Sequence, residues 1–261
     1  MSGFEAFILG LVQGLTEFLP VSSSGHLVVL QSLFGSQQQG ILVEITVHLA
    51  TLASVLIVYR HRVAGLIVGA IRRNPDDLSY GLKLVAATIP AVVLVLIAGD
   101  FLDAQFESPG TAGVGFLLTG AVLWTTRRTA KRARLSAPTW TAALLIGCAQ
   151  AVAIVPGISR SGATVAAALA LGIAPVAAAE FSFLMSVIAI SGAAVRSLPE
   201  LTSVAPGEIV PLTIAAGTAL VTGVAAIGLF VRLLKTRAFY CFAYYTWAAG
   251  CGVLAWLAFA S

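Results

Sequence analysis

Twenty-three consecutive residues, Ile209 to Val231, contain no ionisable side chain. A helical crossing of a bilayer takes about 20 apolar residues, so this run can span one. It is one of ten apolar segments, at roughly 4–19, 22–34, 41–59, 82–101, 112–126, 139–155, 160–172, 176–195, 209–231 and 239–259. Only 10% of the 261 residues are charged, against about 25% in a soluble domain. The chain is therefore read as an all-α polytopic membrane protein, one integral domain over 1–261. The first segment is not read as a removable signal peptide, because it has no basic lead and contains Gln13 and Glu17. Cys148, Cys241 and Cys251 are odd in number and lack metal-ligand spacing, which predicts small apolar packers.

Two segments, 22–34 and 160–172, are too short to cross. Each follows a polar break containing proline, Pro20-Val21-Ser22-Ser23-Ser24 or Pro156-Gly157-Ile158-Ser159-Arg160. Two re-entrant hairpins, 4–34 and 139–172, fit this pattern better than four crossings. Segment 112–126 is also short but unbroken, and is read as a span. Non-helical backbone at membrane depth is tolerated only where it is buried in protein or lines a cavity. Both breaks are thus expected to face an internal, wet site.

Thirteen of the 15 Lys and Arg lie in three connections, 60–83, 127–138 and 232–238. All three fall on one side of the membrane, and Arg196 alone lies opposite. Basic connections mark the cytoplasmic face, which puts both termini outside a cell membrane. The net charge of +4 is accounted for by these connections and implies no nucleic acid. The fifteenth basic residue, Arg160, belongs to neither face.

A shift of 137 residues superposes the two breaks. Gly10 falls on Gly147, Gln13 on Gln150, Ser22 on Ser159, Ser24 on Ser161 and Gly25 on Gly162. A shift of 136 sets Glu44 on Glu180 and Arg60 on Arg196. The chain reads as two repeats, about 1–130 and 137–261, each a hairpin plus three spans. Three crossings invert the second copy, so the hairpin tips should meet near the midplane, as in inverted-repeat transporters.

The first tip carries Gln13, Glu17, Ser22, Ser23, Ser24 and His26, and the second carries Gln150, Ser159, Arg160, Ser161 and Thr164. Ionisable groups in a membrane are costly and read as functional by default. Arg160 suits an anion clamp, since guanidinium grips phosphate oxygens bidentately, although a structural ion pair with Glu17 or Glu180 is the plainer alternative. Ser159, Ser161, Thr164 and the N–H groups opening the following helix would add donors. Gln13 and Glu17 share a helix face, and a buried carboxylate can hold a cation or act as a base. Ser22 to Ser24 alone would be an ordinary helix cap. Ser23 becomes a candidate nucleophile only if Glu17, His26 and Arg160 converge on it. His26 is read as an acid, base or phosphate ligand, and His48 as packing. Glu44 and Glu180 are left between supporting the site and ending helices.

At these residues the chain resembles the undecaprenyl-diphosphatase family, also called bacitracin-resistance proteins. The first matching stretch is Gln13-Gly14-Leu15-Thr16-Glu17-Phe18-Leu19-Pro20-Val21-Ser22-Ser23-Ser24-Gly25-His26-Leu27, similar to the family's (E/Q)xxxE stretch and serine–histidine loop. The second is Pro156-Gly157-Ile158-Ser159-Arg160-Ser161-Gly162-Ala163-Thr164, similar to PGxSRSxxT, and Ala179-Glu180-Phe181-Ser182-Phe183 fits as well. The resemblance runs over nearly the whole chain. It implies a membrane phosphatase acting on a polyprenyl diphosphate, two inverted repeats, a site reached from outside and a divalent cation, Mg or Ca. Carried over by position, the catalytic residues are Glu17, Ser23, His26 and Arg160, and the substrate ligands are Gln13, Ser22, Ser159, Arg160, Ser161 and Thr164. Glu17 with Gln13 would hold the cation, although Gln13 stands where other members have a second acid and offers only a carbonyl oxygen. The attacking group is Ser23, His26 or water. A homodimer is compatible with the chain. The rival reading is a lipid-phosphate transporter or flippase using the same cradle.

Overall fold

The computed structural model describes residues 1–34, 40–196, 206–236 and 238–260. Arg237, one of the basic residues counted above, lies outside them. The described residues form α1 (Gly3–Phe18), α2 (Ser23–Phe34), α3 (Gly40–Val58), α4 (Arg60–Ile71), α5 (Pro75–Gln105), α6 (Pro109–Thr129), α7 (Trp140–Val152), α8 (Arg160–Ala170), α9 (Pro175–Arg196), α10 (Ile209–Lys235) and α11 (Phe242–Ala260). Among them there is no β-strand, only one isolated bridge between Leu135 and Ile173. The all-α polytopic reading holds.

Local chemistry sets the helix ends. Ser2 caps α1 in a reciprocal box: its hydroxyl accepts the Glu5 N–H, and the Glu5 carboxylate accepts the Ser2 N–H. Pro20 then biases Leu19 to extended backbone, so α1 stops at Phe18. Ser108 caps α6 ahead of Pro109, and Thr139 caps α7.

Among the described residues four stretches are long and apolar enough to cross a membrane: α5, α9, α10 and Phe239–Phe259. A fifth arises if α3 and α4, which meet at 77°, count as one span. The sixth expected span, α6, has 21 residues, about 31 Å of helix, but glycines, threonines and Arg127–Arg128 make it less apolar. Helices α2 and α8, with 12 and 11 residues, reach only about 18 Å and cannot cross. Apolar side chains cover the exterior; Leu96 and Ile97 of α5 are each 80% exposed.

Two details differ from the sequence reading. The connection at 60–83 contains α4, because Val63 and Leu66 pack against the main core while Ile67, Val68 and Ile71 face outward. The three cysteines are free and exposed on the apolar exterior, so they are not core packers.

The core is dense where the two halves interlock. A run of edge-to-face rings, Phe18–Phe183–Phe230–Phe239, joins α1, α9 and α10 at centroid spacings of 5.6, 5.0 and 5.3 Å. The inner helix of each hairpin packs on a helix of the other half, α1 on α10 and α7 on α5. Gly10 permits the first approach and Gly147 the second. A Cβ on Gly10 would collide with the carbonyl oxygen of Ala215, and one on Gly147 with that of Ala87. These are the two glycines that the 137-residue shift superposes. Gly10→Leu and Gly147→Leu should each destabilise the protein by about 1–3 kcal/mol through overpacking. Gly217→Ala, where no atom lies within 4 Å of the new Cβ, should leave thermal unfolding of the purified protein unchanged or slightly raised.

Candidate functional site

Helix α1 brings Gln13 and Glu17 to one face, one turn apart. After Pro20 the chain turns through Ser22, which takes a left-handed φ of 67°, and α2 opens at Ser23. The second break runs the same way: α7 ends, Gly157 takes a left-handed φ of 86°, Ser159 caps and α8 opens at Arg160. A residue with a Cβ would be strained at that φ.

The two breaks meet at Glu17. Its Oε1 pairs with Arg160 Nη2, across 143 residues of sequence. Its Oε2 accepts the Ser23 hydroxyl at 2.5 Å and the Gln13 amide N–H at 2.9 Å. His48 Nε2 lies 3.8 Å from the same oxygen. A small polar cavity, with about 40 Å³ of room, opens beside this cluster. Thr16, Glu17 and the three serines line it from the first break, and Ala153, Ile158, Ser159 and Arg160 from the second. Two helices, α2 and α8, begin at its wall, so the positive ends of both dipoles lie there. Arg160 Nη1 is buried with no hydrogen-bond partner in the protein, and so is Gln13 Oε1. The arrangement can seat an anion, hold a hydroxyl against a carboxylate and put a guanidinium beside both.

The family model described as Bacitracin resistance protein BacA matches residues 6–252. The chain belongs to this family. It is 39% identical over 259 residues to an undecaprenyl-diphosphatase of Carboxydothermus hydrogenoformans, covering 97% of each chain. It is 39% identical over 270 residues to one of Alcanivorax borkumensis, covering 99% of this chain and all of the relative. A third, of Alkaliphilus metalliredigens, is 38% identical over 267 residues, covering 96% of this chain and 97% of the relative. The protein is an integral membrane member of the BacA family.

Not every residue expected at the BacA-family site lies on the cavity. His26 is turned aside. Its Nδ1–H donates to the Ser22 carbonyl at 2.7 Å, and in the neutral ring Nε2 then accepts the Tyr245 hydroxyl at 2.6 Å. Ser161 donates to the Leu19 carbonyl at 3.2 Å and thereby ties the second hairpin to the end of α1. Thr164 is fully buried, bonded to the Arg160 carbonyl at 2.8 Å and to the Ser182 hydroxyl at 2.7 Å. Neither Ser161 nor Thr164 lines the cavity. Glu180 accepts from Arg62 Nε at 2.8 Å and Tyr80 at 3.4 Å, joining α4, α5 and α9 away from the cluster. Among the residues that sequence reasoning set aside, His48 does reach Glu17. The signal for it was present, since an ionisable group in mid-span reads as functional by default.

Among the described residues no three of His, Cys, Asp and Glu form a cluster able to hold a metal. The protein's own candidates are the Glu17 carboxylate and the orphaned carbonyl of Gln13. Both are oxygen donors of the kind a hard cation takes, but the Gln13 amide presents its N–H, not its carbonyl, to Glu17, so joint ligation would need that amide to turn over.

The pair is asymmetric in one testable respect. A buried carboxylate left alone can shed its charge by taking a proton, whereas a guanidinium cannot. Glu17→Ala should therefore cost about 3–5 kcal/mol of stability, the usual penalty for stranding a buried charge, and Arg160→Ala distinctly less. Thermal unfolding in detergent measures both.

Proposed function

We propose that this chain is a membrane phosphatase that hydrolyses undecaprenyl diphosphate, or a polyprenyl diphosphate of the same kind, to the monophosphate and inorganic phosphate. It thereby returns the lipid carrier to cell-wall glycan synthesis and confers bacitracin resistance. The observation that carries this reading is the Ser23 hydroxyl held 2.5 Å from Glu17 Oε2, with Arg160 on the other carboxylate oxygen. A carrier for a lipid phosphate would need the cradle but not a hydroxyl aimed at a base, and this favours hydrolysis over transport.

In the proposed reaction the terminal phosphoryl group enters the cavity between the starts of α2 and α8. Arg160, with Nη1 unengaged, takes a phosphate oxygen, assisted by Ser159. Ser23 Oγ attacks the terminal phosphorus and its proton passes to Glu17 Oε2. The bond from phosphorus to the bridging oxygen breaks, and the polyprenyl monophosphate leaves with that oxygen. Glu17 passes the Ser23 proton to the bridging oxygen of the departing monophosphate. Water then attacks the phosphoserine, its proton goes to Glu17 and on to the released Ser23 Oγ, and phosphate leaves. Positioning and charge neutralisation supply most of the acceleration in phosphoryl transfer, and Arg160 serves both. A Mg or Ca ion on Glu17 and Gln13 would neutralise phosphate charge. The polyprenyl tail stays outside the cavity, along the exposed apolar helices. The halves are taken as inverted repeats, with the basic connections cytoplasmic and both termini outside.

Phosphate release from undecaprenyl diphosphate by the purified protein tests the reading. Arg160→Ala should lower release by about 10³-fold or more while the protein still folds. Wild-type release by that variant rejects the clamp, and lipid translocation in liposomes without release favours the carrier. Chelation should abolish release, and added Mg or Ca should restore it. Gln13→Glu, which adds a second carboxylate, should lower the cation concentration needed for half-maximal rate. Full activity in excess chelator removes the metal from the scheme.

A further inference from the structure

Each break contains one left-handed residue, Ser22 or Gly157, and the carbonyl of each is held by a side chain. The Gly157 carbonyl accepts the Thr119 hydroxyl at 2.8 Å, and the same oxygen of Thr119 accepts the Ser159 N–H at 2.9 Å. Thr119 is 2% exposed. It thus satisfies two backbone groups that the break leaves without helical partners, on either side of Ile158 and next to Arg160. The Ser22 carbonyl accepts His26 Nδ1–H, and the far nitrogen of that ring is fixed by Tyr245. His26 is also wedged edge-on against Phe116, at a centroid spacing of 4.9 Å.

The supports come crosswise. Thr119 sits on α6 of the first half and holds the break of the second. Tyr245 sits on α11 of the second half and holds the break of the first. Helices α6 and α11 are themselves packed together, and Trp247 Nε1–H donates to the Leu117 carbonyl at 3.2 Å. On α6, Phe116 touches His26 while Thr119, one turn on, holds Gly157. One helix pair therefore braces both loops whose relative placement the reaction needs.

We infer that Thr119 and Tyr245 are positioning residues: Thr119 sets Arg160 through Gly157 and Ser159, and Tyr245 sets Ser23 through His26 and Ser22. This rests on the hydrolytic reading above. Neither residue lines the cavity, so each acts through Arg160 or Ser23, chiefly on the geometry of transfer.

The test is steady-state phosphate release together with hydrogen exchange on the full chain. Thr119→Val should lower kcat roughly tenfold or more while KM stays within about twofold, as expected for misplacement of reacting groups. Thr119→Ser, which keeps the hydroxyl, should restore kcat to within about twofold of wild type. Exchange across 154–163 should quicken in Thr119→Val and stay unchanged in α10. Tyr245→Phe removes one atom from a half-exposed ring, and it carries the test should Thr119→Val not fold. It should lower kcat in the same way and quicken exchange across 19–27. Wild-type kcat in Thr119→Val or Tyr245→Phe, a loss carried wholly by KM, or equal impairment in Thr119→Ser and Thr119→Val would overturn the inference. Exchange separates the two levels of argument. Looser breaks in the variants of a protein that releases no phosphate would sink the hydrolytic reading and keep the struts; unchanged exchange would sink the struts.

Discussion

The ion pair between Glu17 and Arg160 ties the two halves of the site to one another. Both residues stand at helix breaks in otherwise apolar sequence, and either charge alone would be costly to bury. Their union also resolves a chemical conflict. A carboxylate base beside a diphosphate would repel its own substrate. With Arg160 on Oε1, the charge of Glu17 is offset, while Oε2 stays turned toward Ser23 and Gln13. The guanidinium keeps Nη1 unengaged, so an anion can bind without breaking the pair. One contact thus joins the two breaks, offsets the charge of Glu17 and leaves a guanidinium donor unengaged.

Helix breaks make this possible. An unbroken span has no unpaired N–H groups in its middle, and it presents backbone dipoles only at the membrane surfaces. Stopping α1 and α7 partway and restarting as α2 and α8 brings two helix starts to an internal cavity. The backbone that the breaks expose must then be satisfied from elsewhere. Thr119 does this for Gly157 and Ser159, and Ser159 for Gly162. Such supports cost nothing in net charge, which suits their depth.

The hairpins were legible because proline and clustered serines interrupt apolar runs, and the observed breaks fall where those residues stand. Glu17, Ser23 and Arg160 were legible because charge and hydroxyls have no reason to sit in such sequence unless they meet. Other features were hidden for definite reasons. Helix α4 opens a connection rich in arginine, and its 12 residues are too short to cross, so its apolar positions were read as part of a basic loop. Thr119 and Tyr245 act through bonds spanning 38 and 219 residues, and no local pattern reports contacts so remote. Thr164 lies off the cavity for a reason that helix geometry supplies: a threonine inside a helix readily bonds the carbonyl four residues back, here that of Arg160. Belonging to a motif did not place its hydroxyl on the cavity.

The same reasoning bears on what the site can recognise. Its walls are serines, a carboxylate and a guanidinium from the two breaks, and the cavity is small. In the proposed reaction only the terminal phosphoryl group would meet protein polar atoms there. The hydrocarbon would meet the outer faces of helices such as α5, whose Leu96 and Ile97 face outward much as lipid-facing residues do. Tail contacts of that kind are non-directional and scale with apolar area, so they favour membrane residence without selecting a particular isoprenoid. Selectivity then rests on the headgroup. A diphosphate offers both an oxygen for Arg160 and a terminal phosphorus within reach of Ser23. A monophosphate can satisfy the first requirement, but it has no phosphate leaving group to complete the second.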